Sequence, residues 1–313
     1  MFENSGLYTL GIFASVQKQL IVIGGPTASG KTSLAIGLAN SLKTEIISAD
    51  SRQVYKELRI GVARPNEKEL AAAKHHFIAS HSIHHPLNAG TYEHEALILA
   101  NDLFKEHDHL ILCGGSGLFI KALCEGFDKL PTDSKILQSI QEQFELNGME
   151  WLQKIVAGKD PEFYATVDQK NPRRLIRALE IMEVSGEKVS ELRNSEKQAR
   201  PFTITYYGIA YERADLYERI NRRVDIMMND GLIEEAEGLF SYQSLAALNT
   251  VGYKEIFDYM NKKYSLDEAI EKIKQNSRKY AKRQITWFNN ETNTNWLSPE
   301  NEKALPLILK ALI

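Results

Sequence analysis

Gln19-Leu-Ile-Val-Ile-Gly-Gly-Pro-Thr-Ala-Ser-Gly-Lys-Thr32 joins an apolar run to a complete G-x-x-x-x-G-K-[ST] motif, and Ser33-Leu-Ala-Ile-Gly-Leu-Ala-Asn40 continues it with helical spacing. Strand, glycine-rich loop and helix in that order are the context in which this motif binds phosphate. Gly25 and Gly30 let successive backbone N–H groups curl around an anion at a helix N-terminus. Lys31 neutralises charge between phosphates, and the Thr32 hydroxyl is placed to ligate Mg²⁺. The motif says that a phosphorylated group is held, and leaves open what is done with it.

Outward from the loop, short apolar runs at Gln19–Ile23, Glu45–Ser48 and His109–Cys113 predict buried strands, separated by helical patterns such as Ala89–Lys105. That alternation predicts an α/β fold, a parallel sheet flanked by helices. From Pro131 to about Arg200 the character changes: Thr132–Leu146, Glu150–Val156 and Pro172–Ser185 have helical spacing and no strand stands between them. An inserted all-helical domain over 131–200 follows, with a discontinuous core built from 18–130 and 201–313 and an N-terminal extension over 1–17. The alternating aromatic run Phe202–Ala210 is expected to rejoin the sheet. Helices are expected at Asp215–Asn229, at Leu232–Phe240 and from Ser265 to about Asn289, the last opening with the capping-box match Ser265-Leu-Asp-Glu268.

The chain has 313 residues, 43% of them hydrophobic, and a net charge of −3, so any nucleic-acid signal must come from local clustering. Cys113 and Cys124 form neither a disulfide framework nor a zinc pattern, suit a reducing cytoplasm, and are expected to be buried apolar residues. No apolar run is long enough to span a membrane. Histidines cluster as His75-His76, His81 and His84-His85 without the acids or cysteines that a zinc site would add.

Several residues could carry chemistry. Asp50, just past the second strand, is expected beside the phosphate loop, where a carboxylate can bind Mg²⁺ through water or take a proton from an acceptor; a turn aspartate capping the next helix is the plainer alternative. The third strand ends in Cys113 and Gly114-Gly-Ser-Gly117, not in the acid an ATP-hydrolysing site would use. These glycines either bring backbone and the Ser116 hydroxyl to a ligand or make a structural turn. Arg219 and Arg223 share one helix face and can grip a departing diphosphate, or pair with Glu218 or Asp215. Arg173, Arg174 and Arg177 concentrate positive charge in the insertion. Between Ile270 and Asn290, six Lys or Arg face the single acid Glu271, interleaved with Tyr280, Trp287 and Phe288. That helix fits a nucleic-acid surface, or an amphipathic helix with its aromatics in the core.

Taken together and in order, GPTASGKT (25–32), DSRQVY (50–55), GGSGLFI (114–120), NPRRLIRALE (171–180), LYERINRRVD (216–225), VGYKE (251–255) and KYAKRQITWF (279–288) resemble the tRNA dimethylallyltransferases, also called tRNA isopentenyltransferases. The resemblance runs from about residue 18 to 298. It implies a P-loop NTPase-like core with a helical insertion, and Mg²⁺ as cofactor. The implied reaction is transfer of a dimethylallyl group from dimethylallyl diphosphate to the exocyclic N6 amine of the adenosine 3′ to the anticodon. The acceptors would be tRNAs reading codons that begin with U. The protein is expected to be a cytoplasmic monomer that recognises the anticodon stem-loop.

Carried across, Gly25 and the loop Thr27, Ala28, Ser29, Gly30, Lys31 and Thr32 would bind the donor diphosphate, with Lys31 and Arg223 stabilising it as it departs and Thr32 on the metal. Asp50 would accept the N6 proton, and Ser116 would join it in catalysis. Asp50, Ser51, Arg52, Gln53 and Ser116 would hold the target nucleotide. Arg173, Arg174, Leu175, Ile176 and Arg177, with Val251, Gly252 and Tyr253, would contact tRNA. The sequence departs from the family pattern at Ser116, where threonine is usual, at Gly61-Val-Ala-Arg-Pro65, and at His75-His-Phe-Ile-Ala79, which lacks a final aspartate. Three rivals share many of these residues: a small-molecule P-loop kinase, a prenyltransferase acting on free adenine nucleotides, and an RNA-binding protein whose P-loop only senses a nucleotide, for which Asp50 would be dispensable.

Overall fold

The computed structural model describes residues 17–128, 130–192, 198–299 and 301–312; the expected N-terminal extension lies, except for Gln17, outside the described residues. In chain order the elements are β1 (Gln19–Gly24), α1 (Lys31–Leu42), β2 (Ile46–Ser48), α2 (Glu67–Ala72), β3 (His75–His76), α3 (Ala89–Leu103), β4 (His109–Cys113) and α4 (Gly117–Glu125). Next come α5 (Ser134–Lys159), α6 (Pro161–Thr166), α7 (Pro172–Ser185) and α8 (Val189–Leu192). The chain then runs through β5 (Thr203–Ile209), α9 (Arg213–Asn229), α10 (Leu232–Leu239), α11 (Tyr253–Met260), α12 (Leu266–Glu291), β6 (Asn295–Leu297) and α13 (Asn301–Ala311).

The strands form one six-stranded sheet in the order β3-β2-β4-β1-β5-β6, with every neighbouring pair parallel. β5 returns to pair with β1, Gln19 opposite Thr203, so both ends of the chain build the sheet. Leu20, Ile21, Val22 and Ile23 are all fully buried, which is why β1 reads as a continuous apolar run without alternation. Ile21 and Ile23 pack with Leu34 and Leu38 of α1 and with Ile308 of α13. On the α3 side, the buried Tyr92 hydroxyl donates to the Ser48 carbonyl while its ring stacks on Phe119 at 4.1 Å between centroids. Truncating a residue such as Ile21 to alanine in this layer costs about 2–5 kcal/mol.

Two strands were not expected from the sequence: β3, formed by the adjacent histidines, and β6, where Trp296 covers Gly208 so closely that an added Cβ would stand 2.7 Å from its ring. α2, α4, α6, α8, α11 and α13 were also missed. The register aligns Ile23 and Ser48 with Cys113. The carboxyl ends of β1, β2 and β4 therefore release the phosphate loop, Asp50 and the glycine turn side by side.

The chain divides into two compact units, one formed by the segments up to Glu125 and from Ala199 onward, the other by Gly126–Gln198. The second unit is helical, with Leu152, Val156, Phe163, Leu175, Leu179 and Val189 in its own core. The break expected between Leu146 and Glu150 is a kink inside α5, where Gly148 takes φ 72°. Among the described residues no helix is long and apolar enough to cross a membrane.

Candidate active site

A cavity of about 800 Å³ opens at the carboxyl ends of β1, β2 and β4, within the first unit. Its wall includes Thr27, Ala28, Ser29, Gly30, Lys31 and Thr32 from the phosphate loop, Asp50, Ser51, Arg52 and Gln53 from the turn after β2, and Arg219, Arg222 and Arg223 from α9. Ala28 and Gly30 both take positive φ, 63° and 86°, and Gly30 begins α1 without a side-chain cap. The first N–H groups of α1 are thus left to an anion. Gly25, with φ 127°, shapes the turn, is buried and is not part of the cavity wall.

Three cations hold the loop through its own carbonyls and hydroxyl. The Lys31 ammonium donates to Pro26 O at 2.5 Å, Arg219 Nε donates to Ala28 O at 2.9 Å, and Arg223 donates to Thr27 Oγ1 and to Ala63 O, each at 3.3 Å. Neither arginine has an ion-pair partner among the described residues, so pairing with Glu218 or Asp215 is not what places them; Arg219 instead lies 4.8 Å over the Tyr211 ring. Burial lowers the pKa of Lys31 to about 8, with Cys113 and Asp50 opposing and Arg223 reinforcing the drop. Burial also pulls the Arg223 guanidinium down, against Asp50 and Glu69. Cationic groups desolvated beside one another, with no ion-pair partner in contact among the described residues, are prepared for a multiply charged ligand.

Asp50 fills the plainer of its expected roles, capping the turn that follows it. Its Oδ1 accepts the Arg52 and Gln53 N–H groups at 2.9 and 3.2 Å, the turn-capping role, while Oδ2 accepts no hydrogen bond among the described residues. Arg52 donates to Ala247 O at 3.2 Å, and Gln53 ties down the Val62 and Ala63 carbonyls at 3.1 and 3.0 Å. Ser116 is engaged with the turn after β2. Its Oγ accepts the Ser51 N–H at 2.9 Å and donates to Ser51 Oγ at 3.1 Å, and it is not part of the cavity wall. Cys113, expected to be buried, is half-buried and lines the cavity, its thiol raised to about 11 by burial.

The glycine turn is built for packing. A Cβ on Gly114 would stand 2.2 Å from the Ala49 carbonyl oxygen, one on Gly115 2.2 Å from Gln284 Nε2, and one on Gly117 2.5 Å from the Trp287 ring. Two of these partners belong to α12, whose four-residue stripe Asn276, Tyr280, Gln284 and Phe288 meets the site turn by turn. Asn276 donates to Glu255 Oε1 at 2.7 Å, and Glu255 accepts the Gly252 N–H at 2.8 Å. Tyr280 lines the cavity, its hydroxyl raised to about 12 by burial and then by the charge of Asp50, against a hydrogen bond with Ser116. Gln284 spans the phosphate loop and Gly115, and Phe288 is fully buried over Gly24. The α12 aromatics therefore serve the core and cavity, while Lys279, Lys282 and Arg283 stay exposed. Sequence reasoning missed Tyr280 and Gln284 as site residues, though their i, i+4 spacing was readable.

The expected tRNA contacts divide. Val251 and Gly252 line the cavity. Tyr253 is fully buried, with its hydroxyl donating to Glu235, which also accepts the Ile60 and Gly61 N–H groups at 2.9 to 3.1 Å; it is a core residue. In the helical unit Arg173 and Arg174 are exposed and Ile176 is half-buried, but Leu175 is fully buried in the unit's core and has no surface to offer. Arg177 is held at home, donating to Glu180 Oε2 at 2.7 Å, Pro131 O at 3.0 Å and Leu130 O at 3.2 Å.

The IPP transferase family model matches residues 53–291. A tRNA dimethylallyltransferase from Christiangramia forsetii is 48% identical over 286 residues, covering 91% of this chain and 95% of that protein. A tRNA dimethylallyltransferase 1 from Bacteroides fragilis is 44% identical over 297 residues, covering 95% and 99%. Among solved structures, the full-length tRNA isopentenylpyrophosphate transferase of Bacillus halodurans superposes with a TM-score of 0.70 at 32% identity, covering 95% of this chain and 97% of that one. A eukaryotic dimethylallyltransferase acting on tRNA reaches 0.79 at 24% identity over 94% and 79%, a likeness of fold. The chain belongs to the IPP transferase family.

Proposed function

We propose that this protein transfers the dimethylallyl group of dimethylallyl diphosphate to the N6 amine of the adenosine 3′ to the anticodon, in tRNAs reading codons that begin with U, releasing diphosphate. The observation that carries this is the sharing of one cavity by the Lys31, Arg219 and Arg223 cations and the uncapped oxygen of Asp50. The names of the tRNA dimethylallyltransferase relatives support tRNA as the acceptor. It is read as a cytoplasmic monomer that engages the anticodon stem-loop, whose unpaired adenosine leaves its stack at lower cost than a duplex base.

The N6 lone pair forms a bond to the allylic carbon, the carbon–oxygen bond breaks with its electron pair leaving on the diphosphate, and the N6 proton passes to Asp50. Negative charge grows on the departing diphosphate, where Lys31 and Arg223 act as preorganised cations. Phosphorus is not attacked, so no water need be activated, in keeping with a high-pKa thiol, Cys113, at the end of β4. Mg²⁺ suits the hard oxygen donors present: the Thr32 hydroxyl and, through water, Asp50 would hold it, and the buried Ser29 Oγ of the same loop lacks a partner among the described residues. When bound it supplies positive charge to the diphosphate oxygens. The α12 cations Lys279, Lys282 and Arg283 and the exposed Arg173 and Arg174 provide phosphate-directed charge that a mononucleotide acceptor would not need.

Asp50→Asn preserves the Oδ1 cap and removes the base. The expected result is tRNA affinity within about threefold of the parent and transfer slowed by about 10²–10⁴-fold. Near-normal turnover would remove Asp50 from the role of base.

A further inference from the structure

Gln284 has no expected part in the chemistry, yet it is the one described side chain that hydrogen-bonds both the phosphate loop and the glycine turn. Its Oε1 accepts the Thr27 N–H at 2.8 Å and its Nε2 donates to the Gly115 carbonyl at 2.9 Å. The residue is 7% exposed, and Gly115 is bare because any Cβ there would collide with Nε2. Thr27 is thus held at its backbone by Gln284 and at its hydroxyl by Arg223. On the other side Gly115 leads into Ser116, whose hydroxyl takes the Ser51 N–H next to Asp50.

We propose that Gln284 is a positioning residue that sets the separation between the loop holding the leaving diphosphate and the turn holding the proton acceptor. The inference rests on the prenyl-transfer reading above. Alkyl transfer needs nucleophile, carbon and leaving group aligned, and a displacement near 1 Å costs about 10²-fold in rate. A carboxamide suits the task because it offers one acceptor and one donor in a fixed plane. Methionine has the same reach and neither function. A carboxylate accepts from Thr27 but repels the Gly115 carbonyl, whereas a protonated carboxyl restores the acceptor–donor pair.

The test compares Gln284→Met and Gln284→Glu with the parent in single-turnover transfer from dimethylallyl diphosphate to unmodified tRNA, between pH 6 and pH 8, alongside binding of inorganic diphosphate and of tRNA. Q284M is expected to lower the transfer rate by about 10- to 100-fold while both affinities stay within about threefold. Q284E is expected to be impaired at pH 8 and to recover relative to the parent as pH falls, because its buried carboxyl takes up a proton and donates to Gly115. Equal loss of affinity and rate in Q284M, or a Q284E-to-parent ratio that does not change with pH, would overturn the proposal.

Amide exchange separates this inference from the function on which it rests. In Q284M, faster exchange confined to the Thr27 N–H and to residues 114–116 is expected whether or not the parent prenylates tRNA, and unchanged exchange there would overturn the bridge. A parent that transfers no label to tRNA defeats the prenyl-transfer reading instead, and the positioning role falls with it. Should Q284M fail to fold, the pH-dependent ratio of Q284E decides the matter.

Discussion

α9 and α7 each carry arginines about one turn apart, and the two helices use them in opposite ways. On α9, Arg219 and Arg223 end on carbonyls and a hydroxyl of neutral loops, so their charge remains available to a ligand in the cavity. On α7, Arg177 ends on Glu180, a carboxylate whose side chain is 2% exposed and which also accepts from Thr132 and Asp133. That arginine closes the start of the helical unit and brings no net charge to its surface, which is left to Arg173 and Arg174. Spacing identifies a basic helix face. Whether the face serves a ligand depends on whether a carboxylate or a neutral acceptor waits at the end of each side chain.

The sharpest way to break this contrast is to truncate one arginine from each helix. Arg223→Ala is expected to slow single-turnover transfer by about 10²–10³-fold, the usual cost of losing a preorganised donor to developing charge. Arg177→Ala is expected to leave that rate within about threefold and to destabilise the protein by about 1 kcal/mol, less than the usual cost of a lost charge-assisted bond because the Arg177 side chain is 41% exposed. A thermal melt measures the second effect. Equal kinetic losses in the two variants would erase the distinction.

pH supplies the next largest effect. In the free protein burial holds Lys31 near pKa 8, and a bound diphosphate raises it, so binding takes up a proton between those two values. Donor affinity is therefore expected to fall as pH rises past 8, by up to about tenfold per unit. Calorimetry in buffers of different ionisation enthalpy should show proton uptake in that range. Lys31→Met should flatten the profile, and a flat profile in the parent would mean that the lysine is not desolvated as described.

The smallest effect belongs to the exposed pair on α7. Arg173→Ala and Arg174→Ala are each expected to weaken tRNA binding a few-fold and to lower the slope of log K against log salt by about 0.7 to 1, the signature of one lost phosphate contact. An unchanged slope would leave α7 without a direct part in binding.

Legibility followed the physics of each element. β1, β2, β4 and β5 are long or apolar enough to announce themselves, and α7 was bounded by its Asn171 cap, Pro172 and Gly186. β3 and β6 are only two and three residues long and exist because the sheet edge beside them supplies hydrogen bonds. The phosphate loop, Asp50 and Arg223 were legible because their chemistry fixes residue type and spacing together. Leu175 and Tyr253 are fully buried and Arg177 ends on Glu180, because a contiguous motif includes residues that serve the core as well as those that face a ligand. Gln284 was overlooked for a related reason: its partners are 257 and 169 residues away in the chain, and nothing local marks a bridging amide.

The most direct measurement incubates the protein and Mg²⁺ with labelled dimethylallyl diphosphate and either unmodified tRNA carrying adenosine 3′ to the anticodon, or AMP. Label entering tRNA at that adenosine and not AMP is the predicted result. Label in AMP alone, or in neither while ATP is consumed, would contradict it and point to a mononucleotide prenyltransferase or to a kinase.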